Sequence, residues 1–356
     1  MKAIPERPRI CIIGAGAIGG FLAARLADSG HAVSVIDRGN QLAAISEKGL
    51  HLYSSDRVSD IHVRVTASGK YDLGPQDIIM LAVKSQHIPQ VANNLGTLMH
   101  DGTVVITLQN GVPWWYFQKH GGEHEGRQLE TVDPGGVISR LINPLRIIGC
   151  VVYPAAEVSS PGVIRHIEGN RLPVGELDNT GTERASRLSE LFIDAGFKSP
   201  VLTDLRSEIW LKLWGTLAFN PVSMLTRATL EDICRNSYTH TLVTEMMREA
   251  EVIAGRLGIG FRVPLEKRIA GAERVGPHKT STLQDLEAGR ETEIDALLGA
   301  VIELGRITDT LTPHIDSIYA ACKLLERSHD SSLQATMTSN GKSRWQEQFM
   351  NELDDT

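Results

Sequence analysis

The chain has 356 residues, 42% of them hydrophobic and 22% charged, and a net charge of -7. These values are typical of globular proteins with about two domains, and the negative charge argues against binding to nucleic acid or to anionic membranes. The sequence contains neither an apolar run of about 18 residues nor the apolar core of a signal peptide. We therefore expect a cytoplasmic protein without a nucleic-acid or membrane partner.

The possible metal ligands are scattered. Four cysteines lie far apart and show no metal-binding spacing: Cys11, Cys150, Cys234 and Cys322. Isolated cysteines of this kind are usually buried thiols of a protein in a reducing compartment. His120, Glu123 and His124 form a short cluster without a second group of ligands, so no metal site is predicted.

The N-terminal region has the pattern of a dinucleotide-binding unit. A short apolar run, Arg9–Ile13, predicts a buried strand, and residues 21–29 have helical character up to Gly30. Ala32–Ile36 predicts the next strand. The glycine-rich segment 14–19 lies between the first strand and the helix, which is the context that makes a G-x-G-x-x-G motif specific.

Each glycine of this motif has its own physical reason. Gly14 permits the tight turn, Gly16 lets backbone N–H groups approach a pyrophosphate, and Gly19 lets the helix lie close to the strand. The positive end of the helix then favours the anion. The residues predicted to bind the dinucleotide are Gly14, Ala15, Gly16, Ala17, Ile18 and Gly19.

The residues at the end of the second strand do not decide between NAD and NADP. Asp37 is the kind of acid that binds the ribose 2′-hydroxyl of NAD, whereas Arg38 can accommodate the 2′-phosphate of NADP. Asp37 could instead be a turn residue ahead of Gly39. Both NADP and NAD therefore remain candidates.

Three further strands are predicted at 62–66, 77–83 and 103–107. Ligands of open parallel sheets bind beyond the carboxyl ends of the strands, where Lys84 and Asn110 occur. We predict both as binding residues, although a surface lysine and a turn-forming Asn-Gly are the alternatives.

The next segments are less regular. Trp114–Phe117 opens the aromatic segment 113–144 and could form a lid or pocket wall, or could pack against the core or a dimer partner. Residues 147–153, 162–167 and 172–175 read as strands, predicted as antiparallel additions at a sheet edge. Residues 183–195 predict a helix that ends at Gly196.

The C-terminal part reads as helices from about Asp204, a plausible N-cap. Its first helix is apolar nearly all round, yet Lys212, Thr216 and Asn220 recur every four residues and share one face. A polar stripe on a buried helix predicts the wall of a wet cleft. Pro221 is expected to limit this helix.

Two polar positions follow in the helical region. Ser281 stands in a capping-box pattern, so an N-cap is the alternative to a binding role. Glu293 stands in the first turn of a predicted helix, where an acid can simply complement the helix dipole. We predict domains at 1–203 and 204–330 and a polar, loosely ordered tail at 331–356.

With these residues in view, most of residues 9–325 resembles the ketopantoate reductase family. The resemblance is carried by these motifs: Gly-Ala-Gly-Ala-Ile-Gly at 14–19, Val-Lys at 83–84, Leu-Gln-Asn-Gly-Val at 108–112, Lys-x7-Asn-Pro at 212–221, Thr-Ser-Thr-Leu-Gln-Asp at 280–285 and Thr-Glu-Ile-Asp at 292–295. It implies an α/β fold with an N-terminal Rossmann domain and a C-terminal all-helical domain like that of 6-phosphogluconate dehydrogenase. It also implies an active site in the cleft between them.

The resemblance implies NADPH-dependent reduction of 2-dehydropantoate to (R)-pantoate, on the route to pantothenate and coenzyme A. Lys212 would be the general acid, and Glu293 would sit near Lys212, order the closed site and contact the cofactor. The remaining roles would be substrate binding by Asn110, Thr216, Asn220 and Ser281, cofactor contact by Asn110, and 2′-phosphate binding by Arg38 and Lys84. A homodimer is a further expectation.

Three departures keep a second function open. Thr216 stands where the family commonly has Asn, Asp37 is unexpected for NADP, and segment 113–144 is long and aromatic. They favour a D-2-hydroxyacid dehydrogenase, linked to NAD or NADP, that acts on a bulkier 2-oxo acid. A third hypothesis is a non-catalytic sensor that binds NADP and a protein partner. The candidate site residues argue against it: Lys212, Asn220, Ser281 and Glu293.

Overall fold

The computed structural model describes residues 4–54 and 60–329, so the predicted tail lies outside the described residues. The strands of the described residues are β1 (Arg9–Ile13), β2 (Ala32–Ile36), β3 (Leu50–Ser54), β4 (Ile61–Val63), β5 (Thr66–Ser68), β6 (Ile78–Leu81), β7 (Val104–Thr107), β8 (Ile147–Cys150), β9 (Ala155–Ser160), β10 (Val163–Glu168) and β11 (Val174–Glu176). The α-helices are α1 (Ala17–Asp28), α2 (Gly39–Lys48), α3 (Ile88–Ala92), α4 (Val137–Leu141), α5 (Glu183–Asp194), α6 (Leu205–Thr226), α7 (Leu230–Arg235), α8 (Ser237–Arg256), α9 (Leu265–Arg274), α10 (Ser281–Glu287), α11 (Ala300–Ile307) and α12 (313–329). Short 3₁₀ turns occur at Ser85–His87, Leu95–Leu98, Pro134–Gly136 and Pro144–Arg146, and Asp295–Gly299 is a π-helical turn.

The described residues form two compact units. Unit 1 consists of the residues up to Leu213 together with Asp295–Glu303, and unit 2 consists of Trp214–Ile294 and the residues from Leu304 onward. The division therefore falls within α6 and not at residue 203, and the predicted domain boundary stays a prediction. None of the helices in residues 4–54 and 60–329 is both long and apolar enough to cross a lipid bilayer.

The segment Asp295–Glu303 is tied into unit 1 by hydrogen bonds. The amide of Val112 donates to the carbonyl of Ala296 over 2.9 Å. The Glu303 carboxylate accepts from the amides of Glu130 and Thr131, each over 2.8 Å. These contacts join residues far apart in the sequence.

The main sheet of unit 1 has the strand order β11-β8-β7-β6-β1-β2-β5. All neighbouring strands from β8 to β5 pair in parallel, and β11 adds in the antiparallel direction at one edge. The order reverses at β1, between β2 and β6, as in a Rossmann sheet. The α/β class with an N-terminal Rossmann arrangement is confirmed.

The two faces of this sheet are covered by different elements. Ile10 and Ile12 belong to a core with α1, α5 and a second sheet, whereas Cys11 and Ile13 face a core with α3, α4 and the start of α6. All four cysteines are buried free thiols, as predicted. Burial raises the pKa of the Cys11 and Cys150 thiols to about 12, so both stay protonated at neutral pH.

A second, four-stranded sheet in the order β4-β3-β10-β9 was not predicted as a separate sheet. β3 and β10 pair in parallel, with Leu52 opposite Ile164. Helix α1 packs so closely against this sheet that a Cβ on Gly20 would lie 2.7 Å from the Ile164 side chain. Helix α1 contacts strands of both sheets.

Several strand predictions were wrong in detail. Segment 62–66 is not one strand, because β4 lies in the small sheet and β5 pairs with β2 in the main sheet. Within 147–153, β8 is parallel to β7, although an antiparallel strand was predicted. Segment 162–167 belongs to the small sheet and not to the edge of the main sheet, where β11 alone matches the prediction.

Two helix limits also differ from the predictions. α1 begins at Ala17 and not at Phe21, so the glycine-rich turn is shorter than expected. α6 continues through Pro221 to Thr226. Proline removes one helical hydrogen bond, but the surrounding residues Leu217 and Val222 are buried, and their packing outweighs the local preference.

Unit 2 is helical, and Trp214, the residue with which it begins on α6, is fully buried. The ring of Trp214 stacks on Phe261 with centroids 3.9 Å apart, and its indole N–H donates to the carbonyl of Met247 over 2.7 Å. α7 packs against α8 and α9. The predicted C-terminal helical region is confirmed.

The aromatic segment Trp114–Phe117 lies inside the core of unit 1, with each side chain 3% exposed or less. Trp115 donates to the Thr107 hydroxyl, and the Tyr116 hydroxyl accepts from Trp210. Arg206 is also buried, and its guanidinium donates to the carbonyls of Tyr116, Leu177 and Gln118. Of the alternatives for these aromatics, packing against the core is confirmed.

Arg206→Ala should lower the free energy of unfolding by about 3 kcal/mol, because buried carbonyls lose a charged donor. Thermal unfolding of the purified variant checks this. The matched control is Arg248→Ala, since Arg248 is exposed and pairs with Glu245 three residues away. We expect the control to stay within about 0.5 kcal/mol of the wild type. Equal stability of the two variants would contradict the structural role of Arg206.

Candidate active site

The carboxyl ends of β1, β6 and β7 lie side by side. Ile13 pairs with Leu81, and Leu81 pairs with Thr107, so the segments that follow these strands emerge at one edge. They lead to the glycine-rich turn, to Lys84 and to Asn110. The predicted strands placed Lys84 and Asn110 at strand ends, and the register confirms that these ends share one edge. The binding roles of the two residues stay predictions.

Gln109 ties two of these segments together. Its side-chain N–H group donates to the carbonyl of Leu81 over 2.7 Å and to that of Val83 over 2.9 Å. Its buried Oε1 atom has no hydrogen-bond partner among the described residues. Buried polar atoms are usually satisfied, so this acceptor is suited to a ligand donor at the sheet edge. Sequence reasoning had not singled out Gln109 by itself.

The glycine-rich turn has the geometry that its motif requires. Gly14 adopts a φ of +94°, and a Cβ on Gly19 would lie 1.8 Å from the carbonyl oxygen of Gly14. A Cβ on Gly16 would meet nothing within 4 Å. Gly16 is also the N-cap of α1 and provides no capping side chain. The positive end of α1 therefore has open space at its cap, which fits the pyrophosphate of a dinucleotide.

Asp37 and Arg38 differ in their surroundings. The Asp37 carboxylate accepts from the amide of Ala15 over 2.6 Å and from the amide of Arg38 over 2.7 Å. Asp37 thus braces the glycine-rich turn. The Arg38 side chain is exposed at the start of α2. A flexible, exposed guanidinium is well suited to a phosphate.

The structure brings Lys212 and Asn110 together directly. The Lys212 ammonium donates to Asn110 Oδ1 and to the carbonyl of Val152, each over 2.5 Å. Lys212 lies on α6 and is half-buried, while Asn110 follows β7. Two residues 102 positions apart thus form one polar centre at the carboxyl edge of the sheet.

Next to this centre lies a group of residues that sequence reasoning missed. Glu208 precedes Lys212 by four residues on α6, and its carboxylate accepts from the hydroxyl of Tyr153 over 2.6 Å. Arg171 forms an ion pair with the same carboxylate oxygen. The i, i+4 spacing of Glu208 and Lys212 was the available signal, whereas nothing in the sequence joined Tyr153 and Arg171 to them.

Unit 2 contains the other predicted site residues. Asn220 is buried and donates to the hydroxyl of Thr282 over 3.1 Å, which places it beside the start of α10. Ser281 is exposed in the first turn of that helix, and Thr280 is the N-cap, so the capping alternative for Ser281 was wrong. Thr216 and Glu293 are half-buried.

Within residues 4–54 and 60–329, no group of three or more His, Cys, Asp and Glu side chains is arranged to hold a metal ion.

Comparisons with known proteins agree with this geometry. The family model described as ketopantoate reductase PanE/ApbA matches residues 10–179, and the model of its C-terminal part matches residues 204–326. A curated protein of Mesorhizobium japonicum named 2-dehydropantoate 2-reductase is 49% identical over 318 residues, which cover 89% of this chain and 97% of that relative.

Solved structures show the same fold. The structure of a candidate ketopantoate reductase from Ralstonia solanacearum has a TM-score of 0.87 at 37% identity, covering 91% of this chain and 99% of the other. D-mandelate dehydrogenase, solved with NADH and anilino(oxo)acetate, has a TM-score of 0.76 at 20% identity and covers 90% of this chain and 99% of its own. At that identity the likeness concerns the fold alone.

Proposed function

Because the chain belongs to the ketopantoate reductase family, we propose that it reduces 2-dehydropantoate to (R)-pantoate with NADPH. The observation that carries the proposal is the Lys212 ammonium, held by Asn110 and the Val152 carbonyl at the carboxyl edge of a Rossmann sheet. Ligands of such sheets bind at this edge. A positioned lysine there supplies the acid that a carbonyl reduction needs.

NADPH, when bound, supplies a hydride to C2 of the 2-oxo acid. The C2 oxygen then gains negative charge and takes a proton from the Lys212 ammonium, which gives the hydroxyl. Asn110 and the Val152 carbonyl orient the ammonium for this transfer. General acid catalysis of this kind contributes about 10² to 10⁴-fold.

The family resemblance supplies the remaining roles. Asn220 and Ser281 hold the substrate hydroxyl and carboxylate, Thr216 adds a hydroxyl to the pocket, and Glu293 orders the closed site and contacts the cofactor. The burial of Asn220 and its contact with α10 support a binding role in the same part of unit 2 as Ser281. The active site between two domains stays a prediction.

The test of this function is the oxidation of NADPH, followed by absorbance, with 2-dehydropantoate and with NADH in parallel. A kcat/KM of about 10⁴ M⁻¹s⁻¹ or more supports the proposal, since that is the ordinary range of enzymes. Binding of either nicotinamide cofactor without turnover would support a dinucleotide-binding protein and would rule out 2-dehydropantoate as its substrate.

The cofactor is a nicotinamide dinucleotide bound by residues 14–19, and we propose NADP as the preferred form. Arg38 and Lys84 are the residues proposed for the 2′-phosphate. The exposure of Arg38 supports this role. Asp37 braces the turn through Ala15 and remains the residue that would serve NAD.

Arg38→Ala should weaken the binding of NADPH by about tenfold or more and leave the affinity for NADH within about twofold, because only NADPH has the 2′-phosphate. Dissociation constants from cofactor fluorescence check this. Arg64→Ala is the control, since Arg64 is an arginine whose guanidinium donates to the carbonyl of Glu47. An equal loss for both cofactors would show that Arg38 does not read the phosphate.

A second candidate is an NAD- or NADP-linked D-2-hydroxyacid dehydrogenase with a bulkier substrate. Thr216 favours it, because a hydroxyl can make fewer hydrogen bonds than the amide of an asparagine. The buried aromatic segment does not favour it, since those side chains belong to the core. A panel of 2-oxo acids of increasing size, assayed with each cofactor, separates the two functions.

A role in pantothenate and coenzyme A synthesis, a cytoplasmic location and a homodimer stay predictions. Light scattering of the purified protein tests the last of these.

A further inference from the structure

We infer that Tyr153, Glu208 and Arg171 are positioning residues that aim the Val152 carbonyl at the Lys212 ammonium. This inference rests on the proposed role of Lys212 as the general acid. It adds three residues to the reaction that act through Lys212 and need no contact with substrate or cofactor. We call these three residues the anchoring group.

The backbone around Val152 gives the first reason. The amide of Val151 donates to the carbonyl of Pro173 over 3.0 Å, and the amide of Tyr153 donates to the carbonyl of Arg171 over 3.2 Å. In extended backbone, the polar groups of successive residues point to opposite sides. The Val152 carbonyl therefore faces away from residues 171–173, toward its partner Lys212.

The side chains give the second reason. Tyr153 is the residue after Val152, and its hydroxyl donates to Glu208 on α6 over 2.6 Å. Glu208 stands one helical turn before Lys212. One hydrogen bond thus joins the residue after the acceptor carbonyl to the helix that carries the ammonium. This link fixes the segment that contains Val152 and Tyr153 relative to α6, at the position where the proton donor is held.

Arg171 completes the anchoring group from the neighbouring segment. Its guanidinium pairs with the Glu208 carboxylate and lies 5.0 Å from the centre of the Tyr153 ring. The same residue also accepts the Tyr153 amide through its carbonyl. Glu208 is 8% exposed, so its charge is largely removed from water and depends on these partners. Hydrogen bonds to a charged group are the stronger and more directional kind.

A loosened carbonyl would let the ammonium sample positions from which it cannot reach the C2 oxygen. Misplacement by about 1 Å can cost about 10²-fold in rate. Since the anchoring group constrains the Val152 carbonyl and Asn110 still accepts from the ammonium, we expect a smaller loss, of about tenfold. The loss should fall on kcat, because substrate and cofactor contacts are unchanged.

The test compares Tyr153→Phe and Glu208→Gln with a matched control, Glu176→Gln. Glu176 is a carboxylate in unit 1 that is 1% exposed. Like Glu208, it pairs with an arginine and accepts from a hydroxyl, in this case those of Arg184 and Thr182. It pairs with Ile148, at the other end of β8 from Val152. All three variants should lose some thermal stability.

Steady-state kinetics with the preferred 2-oxo acid provide the first readout. Tyr153→Phe and Glu208→Gln should lower kcat about tenfold, with KM within about twofold, while Glu176→Gln keeps the wild-type kcat. In a Lys212→Ala background, Tyr153→Phe should have no further effect on the residual rate, because residues that act as a unit are non-additive. An unchanged kcat, or the same loss in Glu176→Gln, overturns the inference.

A second readout needs no turnover. Limiting acetic anhydride, followed by peptide mass spectrometry, measures how readily the Lys212 amine is modified. Loss of the anchoring group should raise the Lys212 modification rate about threefold or more, and Glu176→Gln should not. An unchanged rate overturns the positioning role. If the wild-type protein reduces no 2-oxo acid, the proposed function fails by itself, and the labelling result still decides whether the anchoring group positions Lys212.

Discussion

Lys212→Ala should lower kcat for the 2-oxo acid by about 10² to 10⁴-fold, the range that general acid catalysis supplies. The negatively charged C2 oxygen would then have to take its proton from water. Cofactor affinity should change little, because the ammonium is held by Asn110 and the Val152 carbonyl, whereas the pyrophosphate is proposed to bind at the glycine-rich turn. Stopped-flow measurement of NADPH oxidation at saturating substrate tests the expected loss.

Lys267→Ala serves as the control for this substitution. Lys267 is an exposed lysine on α9, so its removal subtracts the same charge from the protein without touching the polar centre. We expect wild-type kinetics for it. Intact turnover in Lys212→Ala would remove Lys212 from the chemistry, and the inferred role of the anchoring group in catalysis would fall with it.

Gly19→Ala should reduce affinity for the dinucleotide by about 100-fold. A Cβ at this position would lie 1.8 Å from the backbone oxygen of Gly14, and no rotamer change can relieve a clash with backbone. Either the turn or α1 must move, at a cost in the upper part of the 1–3 kcal/mol range of overpacking or above it. Isothermal titration of the variant with NADPH measures the loss.

Gly16→Ala is the matched comparison within the same turn. Its Cβ meets nothing within 4 Å, so the variant should keep wild-type thermal stability in the absence of cofactor. Affinity should nevertheless fall, because the added methyl occupies the space proposed for the pyrophosphate. Equal stability losses in Gly16→Ala and Gly19→Ala would contradict the distinct roles of the two glycines.

Local patterns in the sequence predicted the features that depend on neighbouring residues. The strand before Gly14 and the polar stripe of Lys212, Thr216 and Asn220 follow from periodicity and from the special conformations of glycine. The ends of β6 and β7 predicted a common edge for Lys84 and Asn110, because parallel neighbours align their carboxyl ends.

Local patterns could not predict contacts between residues that are distant in the sequence. Nothing near β3 indicates that its partner is β10, more than 100 positions later. The Tyr153–Glu208 hydrogen bond likewise spans 55 positions. Pro221 shows the opposite error, in which a strong local rule was followed although buried neighbours stabilise the longer helix.

The return of Asp295–Glu303 into unit 1 bears on how the protein is made. A ribosome must synthesise the chain as far as Glu303 before the amides of Glu130 and Thr131 obtain their carboxylate partner. Domains usually fold from the N-terminus during synthesis. Here unit 1 can form its sheet early but completes its fold only after most of the helical residues have left the ribosome. A gene fragment that ends at residue 203 would therefore encode an unfinished unit.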